Sequence, residues 1–532
     1  MRTLVSMVAV TAIAFVGCQN DFSRGGRAGA GGDDLVLRAH FIGSQQLLKD
    51  KNAPALAEVW NLKSSANLRN DALSKFSRLP AAWMGSALPK GTGDQANAFR
   101  PLLEDALAHE SFVEWHVSAF TLASKLPEAR AKAWDTNLRS VAANWRLGSP
   151  AAFNANGNSG WEIAKAGAPG LRFVRAGDWV AVTIGQGAAN AEAAALSKLK
   201  QLANGDGAWL AGDVNLAQWK ERASLLENFN NLPLAHFSFS NRADSVRTFV
   251  QLDFPRPHGW KSEPWQIPTN IIRDPLVDFT VARGVRGVLE GLPLFRNLGL
   301  QPVPNQVCGW GNHGMPYQFN LAFATRDATN QLRRIQAKAP AELKRLFGTN
   351  VPRELIAGTN VPTLVWSGLP AFPFVGPLKD GGNEFIFAQL MPQRQLKDRP
   401  PKELFAQFIG HDDLVLYDWE ATQHRFANVR QLYQLGEMAT GRVLAPTNAL
   451  DIAWQLDIAP HLADSATELR ATSPTQMTLV RKSAIGFTAF ELATLSRWTQ
   501  SANFPAFGVF TPQPARRLPQ KAGPKAGPKP GQ

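Results

Sequence analysis

Several residues have the types that nucleophilic, redox or metal chemistry needs. Cys308 and His313 stand close in sequence, and a neighbouring imidazole can stabilise a cysteine thiolate as a nucleophile. No third residue that would orient the imidazole can be identified, so the expectation for Cys308 is a buried free thiol in a turn-rich loop. The same stretch, Gly309-Trp310-Gly311-Asn312-His313-Gly314, has the spacing of a dinucleotide fingerprint. That fingerprint requires a preceding strand and a following helix whose N-terminus receives the pyrophosphate. Here Pro302 and Pro304 precede it and Pro316 leads into a strand, so nucleotide binding is rejected and no cofactor is expected.

His109, Glu110, Glu114 and His116 are metal-ligating types, but their spacing is not the helical His-Glu-x-x-His pattern. Alternation from Phe112 to Phe120 instead predicts one half-buried strand with Glu114 and His116 on its solvent face. His411-Asp412-Asp413 reads as a turn, because consecutive residues on an extended chain point to opposite sides, and no metal is expected. Asp418 and Glu420 share a strand face and could act as paired carboxylates; an exposed strand end is the simpler reading. No catalytic residue is assigned. Sixteen tryptophans against three tyrosines offer flat surfaces for sugars or protein partners. Trp60, Trp115, Trp134, Trp145 and Trp498 fall on core faces, which leaves Trp260, Trp265 and Trp310 as a speculative binding surface.

The elements that must position these residues mix helices with hairpins. Helices are predicted after Asn52, around Leu68–Phe76, from Pro127 through Trp145, and over Ala188–Leu202. Strands are predicted at Leu35–Ile42, in the hairpin Leu171–Val174 and Trp179–Ile184, and at His236–Ser240 paired with Ser245–Phe254. After a Pro-rich crossing, 255–268, strands are expected at Val277–Val281, Gln318–Ala324, Thr363–Trp366, Glu384–Leu390 and Leu414–Trp419. Helices are expected near Asp327–Lys338, Thr422–Met438, Ala449–Leu456 and Phe487–Trp498. The fold class is therefore α+β, with antiparallel sheets covered by helices. Asp33-Asp34-Leu35-Val36-Leu37 recurs as Asp412-Asp413-Leu414-Val415-Leu416, so residues 33–254 and 269–510 are read as two domains or similar halves.

With 532 residues, 45% hydrophobic, the chain can bury a large core. The net charge of +13 is partly terminal. Arg516, Arg517, Lys521, Lys525 and Lys529 lie in an acid-free Pro/Lys/Gly tail, 511–532, that reads as disordered. The Gly-rich stretch 18–32 reads as a flexible tether. Only two cysteines occur.

At the N-terminus, Arg2 precedes an apolar run from Leu4 to Val16 that is too short to span a bilayer, the grammar of an export signal. Phe15-Val16-Gly17-Cys18 resembles the lipobox of bacterial lipoproteins. The resemblance implies removal of signal peptide 1–17, lipidation of Cys18, and a cell-envelope location. Gln19 after the cysteine implies the outer membrane if the host is diderm. It also leaves Cys308 without a disulfide partner. An exported chain is not expected to bind nucleic acid. The membrane, through the anchor, and an envelope protein or glycan are the expected partners. The expected function is non-catalytic binding or scaffolding, with an exported hydrolase of cell-wall or imported polymer as the alternative. Cells fed labelled fatty acid should label the wild-type protein and not Cys18→Ser; an unlabelled wild type would overturn the lipobox assignment.

Overall fold

The computed structural model describes residues 34–84, 98–155, 157–164, 169–202, 207–220, 226, 229–314, 318–347, 353–357, 363–367, 373–390, 399–439, 449–501 and 504. Cys18, the tether and the basic tail lie outside them. Ten strands come from the N-terminal part: β1 (Leu35–Phe41), β2 (Ser111–His116), β3 (Ala119–Lys125), β4 (Ala151–Ala155), β5 (Asn158–Ile163), β6 (Gly170–Ala176), β7 (Trp179–Gly185), β8 (Leu210–Asn215), β9 (Leu234–Arg242) and β10 (Ser245–Asp253). Ten more follow the Pro-rich crossing: β11 (Leu276–Arg283), β12 (Gln306–Asn312), β13 (Gln318–Thr325), β14 (Arg353–Ala357), β15 (Thr363–Ser367), β16 (Phe374–Asp380), β17 (Asn383–Gln389), β18 (Leu414–Glu420), β19 (Ser465–Ser473) and β20 (Gln476–Ser483). The helices used below are α1 (Glu128–Asn144), α2 (Ala188–Leu202), α3 (Ala328–Phe347), α4 (Lys402–Ala406), α5 (Thr422–Ala439), α6 (Leu450–Ile458) and α7 (Ala489–Gln500).

Every described pairing is antiparallel, as expected for an α+β fold. The first set runs β4-β5-β6-β7-β3-β2-β1-β8-β9-β10. The second repeats that order with each strand's counterpart, β14-β15-β16-β17-β13-β12-β11-β18-β19-β20. Pairing of β10 with β20 joins the two sets. Phe249 lies opposite Val480, and each is the fifth residue of its strand, so a local pseudo-two-fold passes between them. The two halves are thus alike in topology. The repeated pentapeptide is not the mark of it: it introduces β1 and β18, whereas the counterpart of β1 is β11.

Alternation decides the layers, since successive residues of a strand face opposite sides. One row crosses fourteen strands from Val182 through Leu122, Val113, Ala39, Phe237, Val250, Leu479, Leu469 and Leu416 to Phe323 and Ile386. The helices α1, α5, α6, α7 and α3 bury this face. In α1 the buried positions Ala131, Trp134, Leu138, Val141 and Ala142 form one stripe. On the opposite face α2 covers Phe112, Ala123, Val174 and Ala181, and α4 with the crossing covers Phe279, Cys308, Trp310 and Phe387. Between these wings the alternate residues of β9, β10, β20 and β19 face solvent, with Phe249 and Val480 exposed at the centre.

Three local expectations need correction. Phe112–Phe120 is not one strand but β2 and β3 with a tight turn between them, the chain reversing so that Trp115 lies opposite Phe120. The glycine stretch around Trp310 is a strand, β12, rather than a loop; Leu321 lies 3.1 Å from where a Cβ on Gly309 would sit, so glycine suits the close approach of β13. Asp418 and Glu420 do share a face, but it is the buried one. Thr280 donates to Asp418, and the Glu420 carboxylate accepts the Ala489 backbone N–H at 2.7 Å, at the start of α7.

That buried face is polar around β19 and β20. Arg481 is 2% exposed and donates two bonds to Glu491, at 2.6 and 3.0 Å, and one to Thr467. Glu491 also closes the capping box with Thr488 that starts α7. Removing one partner of such a pair leaves an uncompensated buried charge, at a cost of about 3–5 kcal/mol. Glu491→Ala should therefore lower stability by about that amount in urea unfolding; a loss below about 1 kcal/mol would show that water reaches Arg481.

Candidate binding site

The open sheet face carries a continuous ladder of charges. Arg38 on β1 projects between Glu114 on β2 and Asp213 on β8, donating to them at 2.8 and 3.0 Å. His116 then bridges Glu114 (Nε2, 2.7 Å) and Asp34 (Nδ1, 3.0 Å). At the other end His236 on β9 bridges Asp213 (Nδ1, 2.6 Å) and Asp253 on β10 (Nε2, 3.1 Å). The register that puts Arg38 opposite both carboxylates and Asp213 opposite His236 is fixed by the strand pairing. Glu114, expected on the solvent face, does point that way but is covered by Arg38 and His116. His40 and Lys125 hold Glu110 separately. Among the described residues no group of three or more His, Cys, Asp or Glu is placed to hold a metal.

The opposite side of the molecule carries a groove where α5 begins. One cleft, of about 370 Å³, runs between α5 and the end of α6; His313, Gln423, His424, Asn428, Arg430, Gln455 and Leu456 are among its walls. An adjoining cleft of about 480 Å³ shares Gln423 and His424 and continues past Asp464, Asp244 and Lys482. Helical spacing builds the α5 wall: His424, Asn428 and Gln431 form one i, i+4, i+7 stripe and Gln423, Ala427 and Arg430 the next. His313, just past β12, meets His424 edge to face with ring centroids 5.0 Å apart. Burial raises the Asp464 carboxyl above its ordinary value, against the attraction of His424. This groove belongs to the segment between β18 and β19. In the first half the counterpart connection, β8 to β9, starts with a short 3-10 turn, Leu216–Trp219.

Cys308 and His313 do not converge. Cys308 lies in the core of β12, where burial pushes its thiol up, away from thiolate. His411 and Asp412 form the expected turn, and their carbonyls, with that of Leu414, accept from the buried Arg283. Trp260 and Trp265 are half-buried on either side of the Arg283 guanidinium, 5.6 and 4.2 Å from the ring centroids. Trp310 is fully buried, stacked on Phe387. Sequence reasoning missed His424, Asn428 and Asp464. Nothing local marks them as a site, since His424 meets His313 and Asp464 only through the tertiary fold.

The ladder makes stability depend on pH. The Asp213 hydrogen bond, with help from Asp253 and against burial, raises the His236 pKa; at His116 burial opposes the charge but Glu114 and Asp34 outweigh it, and the pKa is again raised. Stabilisation from a raised histidine is complete below its unfolded value, about 6.5, and is lost as pH rises through the folded value. For Glu114, Asp213 and Asp253 burial is outweighed by hydrogen bonds and charge, so their pKa values are lowered. Their contribution is present above about pH 4 and is lost as pH falls through the folded values. The stability gap between wild type and His236→Gln should be widest below the unfolded value of about 6.5 and narrow as pH rises through the raised folded value. A gap independent of pH in denaturant titrations would show that the ladder does not titrate.

No protein-family model matches the chain, and no curated protein matches it. A solved structure described as "Structure of crystal form I of TP0453" aligns with 42% of this chain and 75% of its own at 10% identity, with a TM-score of 0.22. A likeness that low carries no argument about fold or function.

Proposed function

We propose that the protein is a lipid-anchored component of the bacterial cell envelope that binds another envelope component through its α+β body without transforming it. In this reading Cys18 fixes the chain to the membrane, the outer one in a diderm host, and residues 18–32 hold the body clear of the headgroups. The observation that carries the binding role is the state of the acid–base groups. Glu114, His116, Asp213, His236, Asp418 and Glu420 are all engaged by partners within the fold. Among the described residues, the polar walls of the first cleft are amides, imidazoles and a guanidinium, with no carboxylate or thiol. Such walls offer hydrogen bonds to a polar ligand, which favours a glycan among the envelope partners.

The hydrolase alternative rests on one feature, the raised carboxyl of Asp464 beside His424 in the adjoining cleft. Both readings are separated by incubating the detergent-solubilised lipoprotein with purified wall glycan. Binding predicts co-sedimentation with no release of soluble reducing sugar. Release that disappears in Asp464→Asn would put the hydrolase first, and absence of both sedimentation and release would overturn a glycan role.

A further inference from the structure

We propose that the cleft between α5 and α6 binds the carboxylate of an acidic sugar, held by His313, His424 and the first turn of α5, with the sugar hydroxyls on the amides beyond. The inference rests on the binding role above and names its ligand class.

Charge comes first. Among the described residues, the walls of this cleft contain His313, His424 and Arg430 and no acidic residue. It opens on the N-terminal turns of α5, an eighteen-residue helix, whose first backbone N–H groups have no intrahelical acceptor and whose dipole favours an anion. Asp464, from the loop before β19, interacts with His424 from the adjoining cleft; Asp244 and Lys482 pair with one another farther along. The two imidazoles are exposed and only 5.0 Å apart. A carboxylate lying across the exposed edges of the pair would receive N–H bonds from both.

A second, independent observation points to a ligand. Asn428 lines the same cleft, is 3% exposed, and its Nδ2 has no hydrogen-bond partner among the described residues. A buried amide donor left unpaired costs free energy that an acceptor of a bound molecule would recover. Neither an anion alone nor a neutral sugar alone uses every wall. The basic end suits a carboxylate, the amides of Asn428 and Gln423 suit hydroxyls, and Leu456, about half exposed on the α6 side, offers an apolar surface to the C–H face of a ring. A carboxylated sugar supplies all three.

The test is calorimetric titration of the full-length lipoprotein in detergent with sodium glucuronate, glucose and sodium acetate as probes. Glucuronate should bind at least about tenfold more tightly than either glucose or acetate, since each of those lacks one half of the recognised chemistry. His424→Gln, at an exposed position, should weaken glucuronate about tenfold or more with an unchanged melting temperature. Asn428→Asp, nearly the same size, removes the buried amide donor that meets a ligand acceptor and should weaken glucuronate about tenfold. Equal affinity for glucose and glucuronate, equal affinity for acetate and glucuronate, no binding of any probe, or full affinity in His424→Gln would each overturn the inference. Retained co-sedimentation with wall glycan alongside any of these results leaves the binding role standing; loss of both removes the two together.

Discussion

Eight residue pairs between β10 and β20 carry the hydrogen-bond ladder from one ten-strand set into the other. Without them the sets would end in strands of nine and eight residues, each with a row of unpaired N–H and C=O groups, the kind of edge that recruits other chains. Joined, they place the two most exposed edges in the middle of one sheet and leave the shorter β4 and β14 outermost. The junction is reinforced from the buried side. Gly486 offers one carbonyl to Thr248 of β10 at 2.9 Å and to Arg481 of β20 at 3.2 Å, so a single acceptor ties the halves together. Gly486 has a φ of 92°, and Phe239 lies 2.8 Å from where a Cβ would sit, so both the backbone and the space call for glycine.

Symmetry about this junction is incomplete, and its failures locate the chemistry. The central strands and their helices α1 and α3, α2 and α4 recur in matching connections. The stretch between β18 and β19 does not recur: it holds α5 and α6, which cover the core and form the groove. The open sheet face is also unequal. Its N-terminal part has Arg38 linked to two histidine–carboxylate bridges, whereas in the second half the residues of β11 on that face, Phe279 and Val281, sit opposite Trp310 and Cys308 and are packed under α4 and the crossing. A repeated framework sets the register, and departures from it carry the distinctive side chains.

Much of the framework was legible in the sequence, because helices and hairpins with apolar faces announce their period. Ala188–Leu202 follows from its composition, and the β9–β10 hairpin from its alternation and short turn. The central hairpin β19–β20 was not legible. Its buried positions include Ser465, Thr467, Arg481 and Ser483, so hydropathy does not alternate even though burial does. β4 and β5 escaped for a related reason, being short and rich in Ala, Asn, Ser and Gly. Polar satisfaction inside the fold is a property of partners distant in sequence, and the same holds for the groove: His313 and His424 belong to different elements brought together by the sheet. Cys308 is the converse case. Its burial followed from a lone thiol in an apolar setting, and the loop assigned around it was in fact a strand.

The position of β1 has a mechanical consequence. The stretch that leads from Cys18 enters the body at Leu35, the start of a strand paired with β2 on one side and β8 on the other. If Cys18 carries the proposed lipid and a bound component pulls away from the membrane, load enters the middle of the sheet along a strand axis. It is shared by two hydrogen-bond ladders and by the Arg38 links to both neighbours, which must slip together before β1 moves. Attachment at an outer strand such as β4 would let the sheet open one bond at a time. Under the proposed anchor, resistance to extraction would be governed by a slow, collective unfolding step, a useful property for a protein moored to one surface while gripping another.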